Sequence, residues 1–391
     1  MKKISPLPKV IAPASAQQLL RRARQLEPQM LDQLAKLVEI ESPSHDKAAV
    51  NRAAAKTAGW AKSLGGRVRL HHHRQFGDSV EARFGPPGKS SDQVLLLGHL
   101  DTVWDKGTLA HMPWKVSKER LSGPGVLDMK SGVVMMLTAI TMLTETQSLA
   151  RPVVMMLHGD EEIGSPASRE LTETMARQCA EVYVLEPAQG QAGAYKTARK
   201  GVGRYRLEVS GVAAHSGVDF SRGHSAVLEL AHQIQAIGEI TGCAPGTTVN
   251  PGLIGGGTRV NVVAADAWTE IDVRISRIRD EARVERALRA LRPRDKACKL
   301  RLSGGMNRPP MERTPATVAL FRRARELAAA MRMPLEEAST GGGSDGNFSS
   351  AMGVPTLDGM GAVGDGAHAP HEHCLREHLA PRTALLAAML L

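Results

Sequence analysis

Acids and histidines recur in this sequence directly after short apolar runs. VLLLGHLDTV ends in His99 and Asp101, VVMMLHGDEEIGS in Glu161 and Glu162, and VYVLEPA in Glu186. Asp128 lies between a Gly/Pro loop and an apolar helix candidate in SGPGVLDMKSG. His368 follows a glycine-rich turn in GDGAHAPHEH, where His371, His373 and His378 compete with it. Taken singly, each fragment has an ordinary explanation: Asp128 suits a helix N-cap, and an exposed Glu pair is simply solvated. The apolar residues before Glu161 and Glu162 imply burial instead, and a buried acidic pair needs a cation. One of two adjacent glutamates can then ligate a metal while the other serves a metal-bound water as general base. Two histidines and three carboxylates suffice for two zinc ions sharing one carboxylate, with a position open for water. Ions ~3.5–4 Å apart activate that water and polarise a carbonyl. A zinc-bound histidine usually gives its second N–H to a carboxylate, which makes Asp101 the candidate partner of His99.

The elements that must position these residues are legible as patterns. Residues 16–40 carry leucines at helical spacing, and a second helix follows around Asp46–Leu64. GRVRLHHH alternates like a strand, and its His71–His73 run reads as exposed. The three apolar runs read as strands buried on both faces. The helix candidate SGVVMMLTAITMLTET lies between the first two. Alternating strands and helices predict an α/β fold with a mostly parallel sheet flanked by helices. Ligands in such sheets bind beyond the carboxyl ends of the strands, where the acids collect. The middle of the chain reads β-α-β-β-α-β: GRYRLEVSG, SAVLELAHQIQAIGEI, TTVNPGLIGGG, AWTEIDVRI, EARVERALRALR and CKLRLSGG. That order predicts an inserted α+β domain over 200–309, between catalytic-domain segments 1–199 and 310–391. A helix at TVALFRRARELAAAM, a strand at VPTLDGMG and a helix from His378 close the chain.

The 391 residues suit two domains. No uninterrupted apolar run approaches the ~18–20 residues of a membrane span. Pro6, Pro8, Pro13 and Lys9 interrupt the N-terminal stretch, so no signal-peptide apolar region is expected; this fits a cytoplasmic protein or an already processed one. The four dispersed cysteines form no C-x-x-C and argue against a disulfide framework or a cysteine zinc site. The +10 net charge suits attraction of anionic substrates. Dispersed basic residues without interleaved aromatics argue against nucleic acid as partner.

GHLDTV, GPGVLDMKSG, GDEEIGS, LEP and GAHAPHEH, in this order, resemble the dizinc metallopeptidase family of aminoacylases, acetylornithine deacetylases, succinyl-diaminopimelate desuccinylases and glutamate carboxypeptidases. The resemblance covers nearly the whole chain from about Leu34 and is nearest to the glutamate carboxypeptidase branch. It implies that Asp128 bridges two zinc ions per subunit, for which cobalt or manganese can substitute. His99 and Glu186 would complete one site, and Glu162 and His368 the other. Glu161 would be the general base, Asp101 would orient His99, and the Asp128–Met129 peptide would be cis. In the inserted lid domain, His215 of GVAAHSG would stabilise the oxyanion, typically across a homodimer. Asn261, Arg274, Arg308 and Gly343 match substrate-contact positions, with Arg308 where that branch grips a carboxylate, a task suited to the guanidinium fork. The implied substrate is a small peptide or N-acyl amino acid, cleaved at the amide beside a free carboxylate. A small-molecule deacetylase or desuccinylase and a non-catalytic peptide-binding relative are the alternatives. Counting from LEP puts Ala194 where that branch carries a lysine, with Lys196 nearby, which leaves a preference for C-terminal glutamate unsupported.

Overall fold

Val94–His99 and Val153–Gly159 are buried along their whole length. Both lie inside a six-stranded sheet ordered Arg67–His71, Gly77–Phe84, Val153–Gly159, Val94–His99, Glu181–Val184, Thr356–Leu357. The last four strands are parallel and the first two form an antiparallel edge. Burial on both faces explains the near-continuous apolar runs. The computed structural model describes residues 12–86, 92–149 and 151–391. The proline-rich start, 1–11, lies outside them, so the expectation about a signal segment falls largely outside the described residues.

The described chain forms two compact units. The first runs to Ala198 and includes Arg313–Thr340 and Ser344–Leu391. The second comprises Arg199–Glu312 with Gly341–Gly343. In the first unit, helices Pro13–Val38, Ser131–Glu145 and Arg376–Leu390 pack against one another. The stretch Val126–Glu145 is long and apolar enough to cross a membrane, but it is 94% buried inside the unit and serves as a core helix. Helix Lys47–Ser63 lies against Gly77–Phe84 and begins at Asp46, whose side chain caps Ala49 N–H at 3.0 Å.

The second unit is a four-stranded antiparallel sheet ordered Thr248–Gly256, Asp266–Ile275, Gly201–Ser210, Lys299–Arg308. Its central strands Gly201–Ser210 and Asp266–Ile275 alternate buried residues with half-buried or exposed ones, because helices Ala226–Gly238 and Glu281–Arg289 cover one face only. Tyr205, Leu207, Ile271, Val273, Val284 and Leu288 form its core. This is the β-α-β-β-α-β order expected from sequence.

Strand Gly77–Phe84 has no apolar signature, yet nearly all of it is buried. Its polar side chains are satisfied by the histidine run. His71 Nε2 lies 2.7 Å from Glu81, His72 Nδ1 2.7 Å from Asp78, and His73 Nε2 2.9 Å from Ser79 Oγ. Ser79 Oγ in turn meets Nδ1 of the buried His158 at 2.9 Å. The run expected to be simply exposed therefore keeps only His72 largely in solvent.

Candidate metal centre

Three adjacent parallel strands deliver their acids to one edge of the sheet. Val94–His99 ends at His99, which stands opposite His158 in the neighbouring strand. Three residues beyond His158 comes the Glu161–Ile163 turn, and two beyond Glu181–Val184 comes Glu186. Asp128 arrives from a turn leading into helix Ser131–Glu145; its side chain does not cap that helix. A β-carbon at Gly132 would lie 2.1 Å from Leu185 O, so glycine lets this helix start approach the backbone beside Glu186.

His99, Asp128 and Glu186 form one potential ligand group, and Asp128, Glu162 and His368 a second. Asp128 divides its oxygens between them: Oδ1 is 3.2 Å from His99 Nε2, and Oδ2 is 3.3 Å from His368 Nε2. Glu186 Oε1 lies 3.4 Å from His99 Nε2, and Glu162 Oε2 lies 3.2 Å from His368 Nε2. His368 adopts φ 62°, a left-handed conformation rare outside glycine. Among its competitors, His371 gives its carbonyl to His373 Nδ1, and His378 sits on the last helix, so His368 alone joins the cluster. The Asp128–Met129 peptide is cis.

The donor set fits divalent cations. His99 Nδ1 lies 2.9 Å from the Asp101 main-chain carbonyl, which can only accept, so Nδ1 carries a proton. The Nε2 lone pair of a neutral His99 then faces carboxylate oxygens, an arrangement that requires a proton or a metal between them. Carboxylate neighbours do raise both imidazoles. Asp128 and then Glu162 pull His368 up to about 10. Burial opposes the rise at His99, but Asp101, Asp128 and Glu186 outweigh it. Burial and the Asp128 charge push Glu162 up to about 7. Burial would raise Asp128 as well, but the two histidines hold it well below the carboxylate range. Glu162 Oε1 is buried with no hydrogen-bond partner among the described residues, a vacant acceptor of the kind a cation satisfies.

Asp101 faces His99 chiefly through its main chain; its carboxylate Oδ1 is 3.5 Å from Nδ1. That carboxylate instead accepts the Glu161 and Glu162 N–H groups at 3.2 and 3.1 Å and the Ser44 hydroxyl at 2.7 Å. Asp101 therefore fixes the glutamate turn as well as the imidazole. Asp160 tightens the same turn, accepting the Ala167 N–H at 2.7 Å and the Ser168 hydroxyl at 2.5 Å. Asp345 reaches it through the Ser165 hydroxyl. Neither Asp160 nor Asp345 stood out in the sequence; their partners identify them only in three dimensions.

The remaining candidates lie in the second unit. His215 is exposed and its Nδ1 accepts the Gly217 N–H at 3.1 Å. A neutral His215 thus carries its proton on Nε2. The Asn261 carbonyl accepts Ser216 N–H at 3.1 Å. Arg274 grips both Asp272 oxygens at 2.8 and 2.9 Å and donates to Gly341 O at 3.3 Å. The Gly343 carbonyl accepts from Arg199 at 3.2 Å. Arg308 ends strand Lys299–Arg308 and is buried.

Comparison with known proteins shows what the chain as a whole is similar to. Carboxypeptidase G2 of Pseudomonas sp. (strain RS-16) is 26% identical over 385 residues, 95% of this chain and 91% of that protein. A tripeptidase structure from Staphylococcus aureus superposes with a TM-score of 0.79 at 19% identity, over 93% of this chain and 97% of that one. The M20 family metallo-carboxypeptidase Sso-CP2 from Sulfolobus solfataricus gives a TM-score of 0.72 at 15% identity, over 92% and 98%. The profile of peptidase family M20/M25/M40 matches residues 95–391, which include every residue of both ligand groups. The chain is therefore a member of peptidase family M20/M25/M40, a metal-dependent hydrolase family.

Proposed function

We propose that this chain is a dizinc carboxypeptidase that cleaves the amide bond of peptidyl or N-acyl amino acids beside a free carboxylate. The observation that carries the reading is the pair of ligand groups sharing Asp128, with buried Glu161 beside them. Two zinc ions bound there would supply an activated water and polarise the scissile carbonyl. Glu161 takes the proton of the attacking water and returns it to the departing amine. His99 and Glu186 would hold one ion, Glu162 and His368 the other, and Asp128 belongs to both groups. His215 Nε2–H stabilises the developing oxyanion. The extensive similarity to carboxypeptidase G2 supports the carboxypeptidase class.

Arg308 is assigned to the substrate carboxylate, and Asn261, Arg274 and Gly343 to further substrate contacts. A guanidinium–carboxylate pair contributes ~1.5–3 kcal/mol, and each ~1.4 kcal/mol is one decade in rate. Amidating the carboxylate is expected to lower kcat/KM at least about tenfold. Arg308→Ala should impair hydrolysis of the acid and leave the amide nearly unchanged. Equal rates on acid and amide substrates would remove the carboxypeptidase assignment while leaving the amidohydrolase reading intact.

The chain is further proposed to act as a homodimer through the second unit, with His215 completing the partner's site. Strand Thr248–Gly256 is a sheet edge and exposes Leu253 and Ile254 beyond its bulge. Helix Ala226–Gly238 exposes Val227 and Leu228. An exposed edge with apolar side chains favours pairing with another chain. Light scattering should report a dimer. Mixing inactive Glu161→Gln with inactive His215→Ala should restore activity as subunits exchange, whereas a fully active monomer contradicts the cross-subunit role.

A further inference from the structure

Glu372 is 1% exposed, and burying a carboxylate is costly unless its oxygens are hydrogen-bonded. Here each oxygen receives two N–H groups. Oε2 accepts Trp104 Nε1 at 2.7 Å and Gly125 N at 2.9 Å; Oε1 accepts Leu127 N at 2.8 Å and Asp128 N at 3.1 Å. With four donors aimed at it, the group acts as an acceptor only, the role of a carboxylate. Three of the four come from the turn that presents Asp128. That turn begins at Gly125 with φ 72° and is not regular helix at Asp128, so its N–H groups need an outside acceptor. The chain reaches the turn again two residues later, in strand His373–Leu375, where Cys374 Sγ lies 3.1 Å from Val126 O.

We propose that Glu372 is a positioning residue: it holds the Asp128 turn in its metal-binding shape and ties it to the loop carrying His368, four residues earlier. The proposal rests on the metal-centre reading above. Because Asp128 is shared by both ligand groups, loosening its turn weakens both together. Glu372→Gln preserves the shape but sets an amide NH₂ against N–H donors. Trp104→Phe is the gentler change, removing one donor and leaving the carboxylate in place.

The test titrates metal-free wild type, Glu372→Gln and Trp104→Phe with zinc chloride against a chromophoric chelator. Thermal unfolding of each metal-free protein runs in parallel. Glu372→Gln is expected to bind both zinc equivalents about 10–100-fold more weakly, and Trp104→Phe a few-fold more weakly, while each still melts cooperatively. Turnover should fall with KM little changed. A folded Glu372→Gln that binds both equivalents like wild type overturns the proposal. If that variant fails to fold, Trp104→Phe decides: wild-type zinc affinity overturns the proposal, and weakened affinity at both equivalents supports it. A wild-type chain that takes up no zinc overturns the metal-centre reading, and this proposal with it.

Discussion

Replacing Glu161 by glutamine is expected to lower turnover by ~10²–10⁴-fold or more with metal content unchanged. Glu161 is 9% exposed and opens the turn after strand Val153–Gly159, with its N–H fixed by Asp101 Oδ1. Glutamine keeps the volume and the backbone bond and removes only the proton acceptor. The neighbouring Glu162→Gln serves as the contrast. Glu162 belongs to a ligand group, so its replacement should release metal as well as activity. Steady-state kinetics and metal analysis of the two variants separate the roles. Normal turnover in Glu161→Gln, or metal loss matching that of Glu162→Gln, means that the two glutamates are misassigned.

Asp128→Asn should be the most damaging ligand substitution. Each Asp128 oxygen faces a different histidine, and no other residue belongs to both ligand groups. Asparagine offers one oxygen and turns an NH₂ toward the other imidazole. Both metal equivalents should weaken together, and activity should fall at least about a hundredfold, since metal polarisation supplies several kcal/mol of transition-state stabilisation. Glu186→Gln, by comparison, should weaken one equivalent and spare the other. Loss of a single equivalent in Asp128→Asn would remove the bridging role.

The candidate ligand groups were legible because most of their members follow the ends of apolar strands. Val94–His99 and Val153–Gly159 are buried on both faces, so their runs stand out and the acids after them mark the sheet edge. Strand Gly77–Phe84 was not legible, because Asp78, Ser79 and Glu81 are buried as partners of histidines rather than as apolar core. Spacing alone left His368, His371, His373 and His378 open; the family resemblance pointed to His368, and His368 is the one that lies with Asp128 and Glu162. Glu372 reads as an ordinary charge in HEH. Its donors lie 244 to 268 positions away in sequence, and only the tertiary fold brings them together. The pairing of Arg274 with Asp272, two residues away, follows from the strand period, which puts both on one face.

Metal content measured alongside activity tests the central claim most directly. Purified protein analysed by plasma mass spectrometry should carry up to two zinc or similar divalent ions per chain. Activity should disappear as a chelator strips them and return as zinc is added back. A protein that remains fully active after exhaustive chelation, with no metal detected, contradicts the account.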